Sequence, residues 1–121
     1  MRILICGDRY WANKELIRDT VENYVKTIKL DKIYIIEGEA NGADSLAREV
    51  AEELGLEVMK FPADWSKYHR AAGPIRNQQM LQQGKPDMVL AFHNNLSQSK
   101  GTADMVKRAR KAGVPTEVIS E

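Results

Sequence analysis

Four short segments hold residue types that bind or transform small anionic molecules. The first is Gly7-Asp8-Arg9. Its glycine allows a sharp turn, Asp8 can accept from a sugar hydroxyl, and Arg9 can pair with phosphate. A solvated loop is the simpler reading of this stretch alone. The second is Gly38-Glu39-Ala40-Asn41-Gly42-Ala43-Asp44. Small residues ahead of a helix leave its first-turn amides open to an anion, and a tight turn capped by Asn41 or Asp44 accounts for them equally well. In the third, Trp65, Tyr68, His69 and Arg70 lead through Gly73-Pro74 to Arg76-Asn77. Aromatics in a loop without a period could stack on a base. An arginine in a first helical turn opposes the macrodipole and calls for an anion, either a ligand or the neighbouring Asp64. His69 reads as a solvated loop residue rather than a base. The fourth is Ser99-Lys100-Gly101-Thr102, where a bend, a cation, a hydroxyl and an amide form a second phosphate cradle, unless Thr102 is only a cap.

Other chemistries lack their residues. No Gly-x-Gly-x-x-Gly, Walker loop, His-Glu-x-x-His or Gly-x-Ser-x-Gly occurs, and the two histidines, His69 and His93, stand 24 positions apart. No metal site, cofactor or serine hydrolase is therefore expected. Lys107, Arg108, Arg110 and Lys111 complement a helix C-terminus and read as a solvated face.

The elements that position these segments follow from hydropathy periods. Arg2 to Cys6 is a doubly covered strand ending at Gly7. From Asn13 as N-cap, Ile17, Val21, Tyr24 and Ile28 draw one stripe along a helix running to about Lys29. Ile33 to Ile36 is a second strand. Ala43, Leu46, Ala47, Val50, Ala51 and Leu54 then mark a helix stopped by Gly55. Leu56 to Phe61 alternates as a strand near a sheet edge does, and Ala63 to Gly73, without a period, is expected to be a loop. Pro74 as the first helical residue opens a helix to Gly84; Asp87 to Phe92 is a strand, Thr102 to Ala112 a helix capped by Gly113, and Val114 to Ile119 the fifth strand. Strands joined by helical crossovers lie parallel, so the expected fold is a doubly wound three-layer α/β sandwich. Its ligand belongs outside the carboxyl ends of the strands, where strand order reverses.

The composition fits one domain spanning residues 1–121. Eighteen Lys+Arg against 17 Asp+Glu leave a formal charge of +1, and 43% of residues are hydrophobic, enough for one core and against disorder. Domains that bind duplex DNA through its phosphates are usually strongly basic, so nucleic acid is not an expected partner. The longest apolar runs, Ile3 to Cys6 and Met88 to Phe92, fall far short of a membrane span, which takes about 20 residues. The first of these runs is also too short for a signal peptide, so no export is expected. The lone Cys6 forms no internal disulfide and reads as a core residue, which points to the cytoplasm.

These segments resemble the SLOG superfamily, the Rossmann-like group that includes DprA/Smf proteins and the LOG phosphoribohydrolases, and within it the small YspA-like proteins of bacteria and phages. The residues carrying the resemblance are Ile3 to Arg9, Glu37 to Asp44, Phe61 to Trp65, Ala72 to Met80 and Lys100 to Met105. It implies a parallel sheet of order 3-2-1-4-5 with a nucleotide or nucleotide-derived ligand at its carboxyl edge. Gly38, Gly42 and Ala43 match the family's first glycine-rich turn. Gly101-Thr102 match the end of its Gly-Gly-x-Gly-Thr loop, and Arg76 the active-site arginine of LOG enzymes. Ser97-Gln98-Ser99-Lys100 replaces the Gly-Gly pair, and Asp104-Met105 stands where LOG enzymes carry two acids. Those departures favour binding or sensing over turnover. The alternative implied is an N-glycosidase on nucleoside 5′-monophosphates, with Asp104 stabilising the sugar cation, Arg76 clamping the ligand and the amides of Gly42, Gly101 and Thr102 holding phosphate. Self-association is a further implication.

Overall fold

The computed structural model describes residues 1–27 and 33–121. Five strands, β1 (Arg2–Gly7), β2 (Tyr34–Glu37), β3 (Glu57–Lys60), β4 (Met88–Phe92) and β5 (Thr116–Ile119), form one sheet in the order β3-β2-β1-β4-β5. Every neighbouring pair is parallel. The pleat sends alternate residues of each strand to opposite faces, which explains why the central strands are apolar throughout. On one face Ile3, Ile5, Ile35, Leu90 and Phe92 meet helices α1 (Lys14–Thr27) and α2 (Ala43–Glu53). On the other, Leu4, Ile36, Val89 and Ala91 meet α4 (Ala72–Gly84) and α5 (Gly101–Lys111) through Met80, Met105, Val106 and Ala109. The fold is the doubly wound α/β sandwich that the periods predict, and Cys6 is buried in it.

Asn13 caps α1, its Oδ1 accepting from the Leu16 amide at 3.1 Å. Ile28 and Lys29, where the stripe was expected to end, lie outside the described residues. Gly55 and Gly113 follow the ends of α2 and α5 with φ of 71° and 77°, the left-handed stop expected of both. Trp11, which no period marks, is buried edge-on against Phe92 with ring centroids 5.7 Å apart.

The stretch 63–73 departs from expectation, because it is not a loop. Asp64 accepts from the Lys67 amide at 3.1 Å and starts the one-turn helix α3 (Trp65–Tyr68). A 3₁₀ turn at His69–Ala71 leads directly into α4. Short-range capping, which leaves no hydrophobic period, builds this segment. Pro74 is therefore the third residue of α4, where its missing N–H still costs no intrahelical bond, and Arg76 stands beyond the first turn. Among the described residues no helix is long and apolar enough to cross a membrane.

Candidate functional site

The loops after β1 and β2 are locked together at the backbone. The Ala43 amide donates to the Asp8 carbonyl at 3.1 Å, and the Asp8 amide to the Phe92 carbonyl at 2.9 Å. A Cβ on Gly7 would overlap the Phe92 carbonyl and come within 2.8 Å of the Ala43 methyl; one on Gly42, whose φ is 72°, would overlap the backbone of Asp8 and Arg9. Gly7, Gly42 and Ala43 are thus small because three chain segments converge there. The Asp8 side chain closes its own turn, Oδ1 accepting from the Tyr10 amide at 2.9 Å.

Two buried carboxyl groups shape the turn after β2. Asp44 Oδ2 accepts from the amides of Gly38 (3.1 Å) and Ala40 (3.3 Å), and Glu37 Oε2 accepts from the Glu39 amide between them (2.9 Å). Three consecutive amides that could have cradled an outside anion are thereby turned onto the protein's own acids. Neither Asn41 nor Asp44 caps α2, whose N-cap is Gly42. Burial raises the pKa of both acids. Glu37 is pushed up to about 7, with the Asp44 charge adding and the Glu39 amide and Arg48 opposing. For Asp44 the amides and Arg76 oppose the burial. Burial, reinforced by Asp44, also drives the Cys6 thiol well up. Glu37 Oε1 is buried without a partner among the described residues. Sequence patterns do not single out Glu37; its signal is a charged residue that follows the two buried isoleucines of β2.

Arg76 is held through two of its three guanidinium nitrogens. Its Nη1 donates to the Gly38 carbonyl at 2.6 Å and its Nε to Asn77 Oδ1 at 3.1 Å, while Nη2 has no partner among the described residues. Glycine at position 38 makes room for this arrangement, since a Cβ there would lie 2.6 Å from Nη1 and displace the Arg76 side chain. Asp64, the alternative partner, forms no ion pair with Arg76 among the described residues; its Oδ1 caps α3 and accepts from Ser66. Asn77, only 3% exposed, donates through Nδ2 to the Gly101 carbonyl (3.2 Å) and to Asp104 Oδ2 (3.0 Å). Asp104 Oδ2 also accepts from Arg108 Nε at 2.8 Å, and Arg108 Nη1 donates to Gln78 Oε1 at 3.0 Å, so Arg108 ties α5 to α4 rather than forming a solvated face. At the start of α5, Ser99 Oγ accepts from the amides of Thr102 (3.0 Å) and Ala103 (3.3 Å); Thr102 is not the cap.

A cleft of about 310 Å³ opens over the ends of β2 and β3, lined by Arg9, Gly38 to Asn41, Pro62, Ala63, Trp65 and Arg76. A smaller one of about 210 Å³, with Lys67, Tyr68 and Ile75 in its wall, shares Pro62 and Arg76 with it. Of the residues singled out in the sequence, Arg9, Gly38, Trp65 and Arg76 line the larger cleft, Gly7, Asp8, Gly42, Ala43 and Asp44 build the turns around it, and Asn77 stands behind Arg76. Lys100, Gly101, Thr102 and Asp104 line neither cleft; Gly101 and Asp104 are bonded to Asn77, behind Arg76. The larger cleft is displaced from the β1–β4 reversal point toward β3. Among the described residues no group of three or more His, Cys, Asp and Glu side chains is placed to hold a metal ion.

Residues 1–68 match the model of the YspA, cpYpsA-related SLOG family. The chain belongs to this family. The matched part carries the SLOG turns after β1 and β2 and Trp65, while Arg76, Asn77 and Asp104 lie beyond it. The gene 61 protein of Mycobacterium phage D29 is 31% identical over 119 residues, which covers 94% of this SLOG chain and 92% of that protein. The solved structure of DNA processing protein A (DprA) from Streptococcus pneumoniae superposes with a TM-score of 0.73 at 13% identity, over 98% of this chain and 49% of that one. The SLOG chain thus spans about half the length of DprA, and the likeness is one of fold.

Proposed function

We propose that this SLOG protein binds a nucleotide or nucleotide-derived anion in the larger cleft and acts as a binding or sensing module. The observation that carries the reading is Arg76, anchored through Nε and Nη1 with Nη2 unspent on a cleft wall. A guanidinium fixed in this way loses little rotamer freedom on pairing with phosphate. Arg9 adds a second cation, and Trp65, 58% exposed on the same wall, offers an indole face for a base. Binding is favoured over hydrolysis because the Asp104 carboxylate is engaged by Asn77 and Arg108 and lines neither cleft.

The test is a panel of nucleoside 5′-monophosphates, followed by melting temperature, tryptophan emission and chromatography for free base. Binding raises the melting temperature and changes the emission of Trp65, with no base released. Arg76→Ala is expected to weaken affinity by about tenfold or more, as for loss of a charge-assisted hydrogen bond. Release of base would favour the N-glycosidase. Absence of any shift across the panel would remove the nucleotide reading.

A further inference from the structure

Glu39 makes the larger cleft unlike a simple anion pocket. It is a carboxylate lining the same cleft as Arg9 and Arg76, carried on a backbone with φ of 57°, a conformation uncommon for a residue with a side chain. Its amide is held by the buried Glu37 and the amides on either side of it by Asp44, so the turn is over-determined around this position. Its nearest cation is Arg48, with Nη1 3.9 Å from Glu39 Oε1, beyond hydrogen-bond reach. The Glu39 carboxylate therefore keeps acceptor capacity next to two arginines.

Building on the nucleotide reading, we infer that Glu39 is a specificity-determining residue that accepts hydrogen bonds from the vicinal hydroxyls of a ribose, and that Glu37 is its positioning residue. A carboxylate has two acceptor oxygens and a cis-diol two donors, so the chemistry is matched in number and kind. A cationic ligand group would meet the same carboxylate but would be repelled by Arg9 and Arg76. A second phosphate would suit the arginines and be repelled by Glu39. A sugar phosphate satisfies both, with its anion at Arg76 and its neutral donors at Glu39. A site built to bond a hydroxyl discriminates against the analogue lacking it, because its acceptor is left unpaired.

The test is calorimetric titration of the full chain with ribose 5-phosphate against 2-deoxyribose 5-phosphate, and with AMP against 2′-deoxy-AMP. The protein is expected to favour each ribo form by about tenfold, the effect of one hydrogen bond to a charged acceptor. Glu39→Ala, at an exposed position outside both cores, removes the preference by weakening the ribo forms more than the deoxy forms, which offer Glu39 one hydroxyl instead of two. Glu37→Leu reduces the preference and Glu37→Gln restores it, a pattern that general loss of stability would not produce. If Glu37→Leu does not fold, Glu39→Ala alone decides. Equal affinity for ribo and deoxy forms, or a ratio unchanged in Glu39→Ala, overturns the inference. When such equal binding still depends on Arg76, the nucleotide site stands without it; binding of none of the four probes overturns both.

Discussion

Glu37 is the residue whose environment departs furthest from what its type tolerates. A carboxyl group with no solvent exposure and one oxygen unpartnered is costly to ionise, and the neighbouring Asp44 increases that cost. Its folded pKa of about 7 lies above its ordinary 4.5, so the folded state holds a proton that the unfolded chain has lost. By linkage, stability is greatest below pH 4.5 as far as this group is concerned and declines as the pH rises through 7. The full decline amounts to about 3 kcal/mol, since a tenfold difference in proton affinity between folded and unfolded chain is worth about 1.4 kcal/mol. Asp44 is displaced in the same direction and adds to the slope. Urea unfolding at pH 5 and pH 8 should show the native chain less stable at the higher pH, with the difference cut substantially in Glu37→Gln. An identical pH dependence in that variant would mean the proton sits elsewhere.

At the scale of elements, glycines decide where strands can hand over to helices. Gly42 and Gly55 share almost the same φ, 72° and 71°, but a Cβ on Gly42 would overlap the Asp8 carbonyl whereas one on Gly55 would meet nothing within 4 Å. Gly55→Ala should therefore cost only the left-handed strain, about 1 kcal/mol. Gly42, at φ 72° and ψ −122°, lies outside the left-handed helical region that other residues can visit, so Gly42→Ala carries at least that strain plus the separation of the β1 and β2 loops, and should exceed it by at least about 2 kcal/mol. Thermal melts of the two variants check this, and equal losses would mean that the loops part without cost. Both glycines can be read as turn residues from sequence, yet their different weight cannot, since it depends on a loop 34 positions away from Gly42 in the chain. The helix α3 escapes sequence reading for the opposite reason: it rests on one local cap from Asp64 and buries none of its residues.

At the scale of the whole molecule, most of the architecture is legible because each buried strand and amphipathic helix carries its own period. The site is legible in part. Gly38, Trp65 and Arg76 announce themselves by type and place, whereas the pairing of Glu37 and Asp44 with three successive amides, and of Ser99 with the start of α5, is tertiary or cap geometry that hydropathy does not encode. The consequence reaches across the sheet through Asn77. This side chain accepts from Arg76 on the cleft wall and donates to Gly101 and Asp104 at the start of α5, so two segments that look in sequence like independent phosphate cradles are ends of one hydrogen-bonded chain. Asn77→Ala leaves the part-buried Gly101 carbonyl and Asp104 carboxylate each short of a donor and Arg76 Nε short of an acceptor, and should lower stability by about 2 kcal/mol. It should also uncouple the two ends. In the native chain, a nucleotide at Arg76 is expected to slow hydrogen exchange both in the turn 38–41 and in the first turn of α5. In Asn77→Ala, at the same ligand saturation, protection should persist in the turn and disappear from α5. Protection of α5 that survives the substitution would show that the signal runs instead through the packed methionines or the Asp104–Arg108–Gln78 bridge, because those contacts do not pass through Asn77.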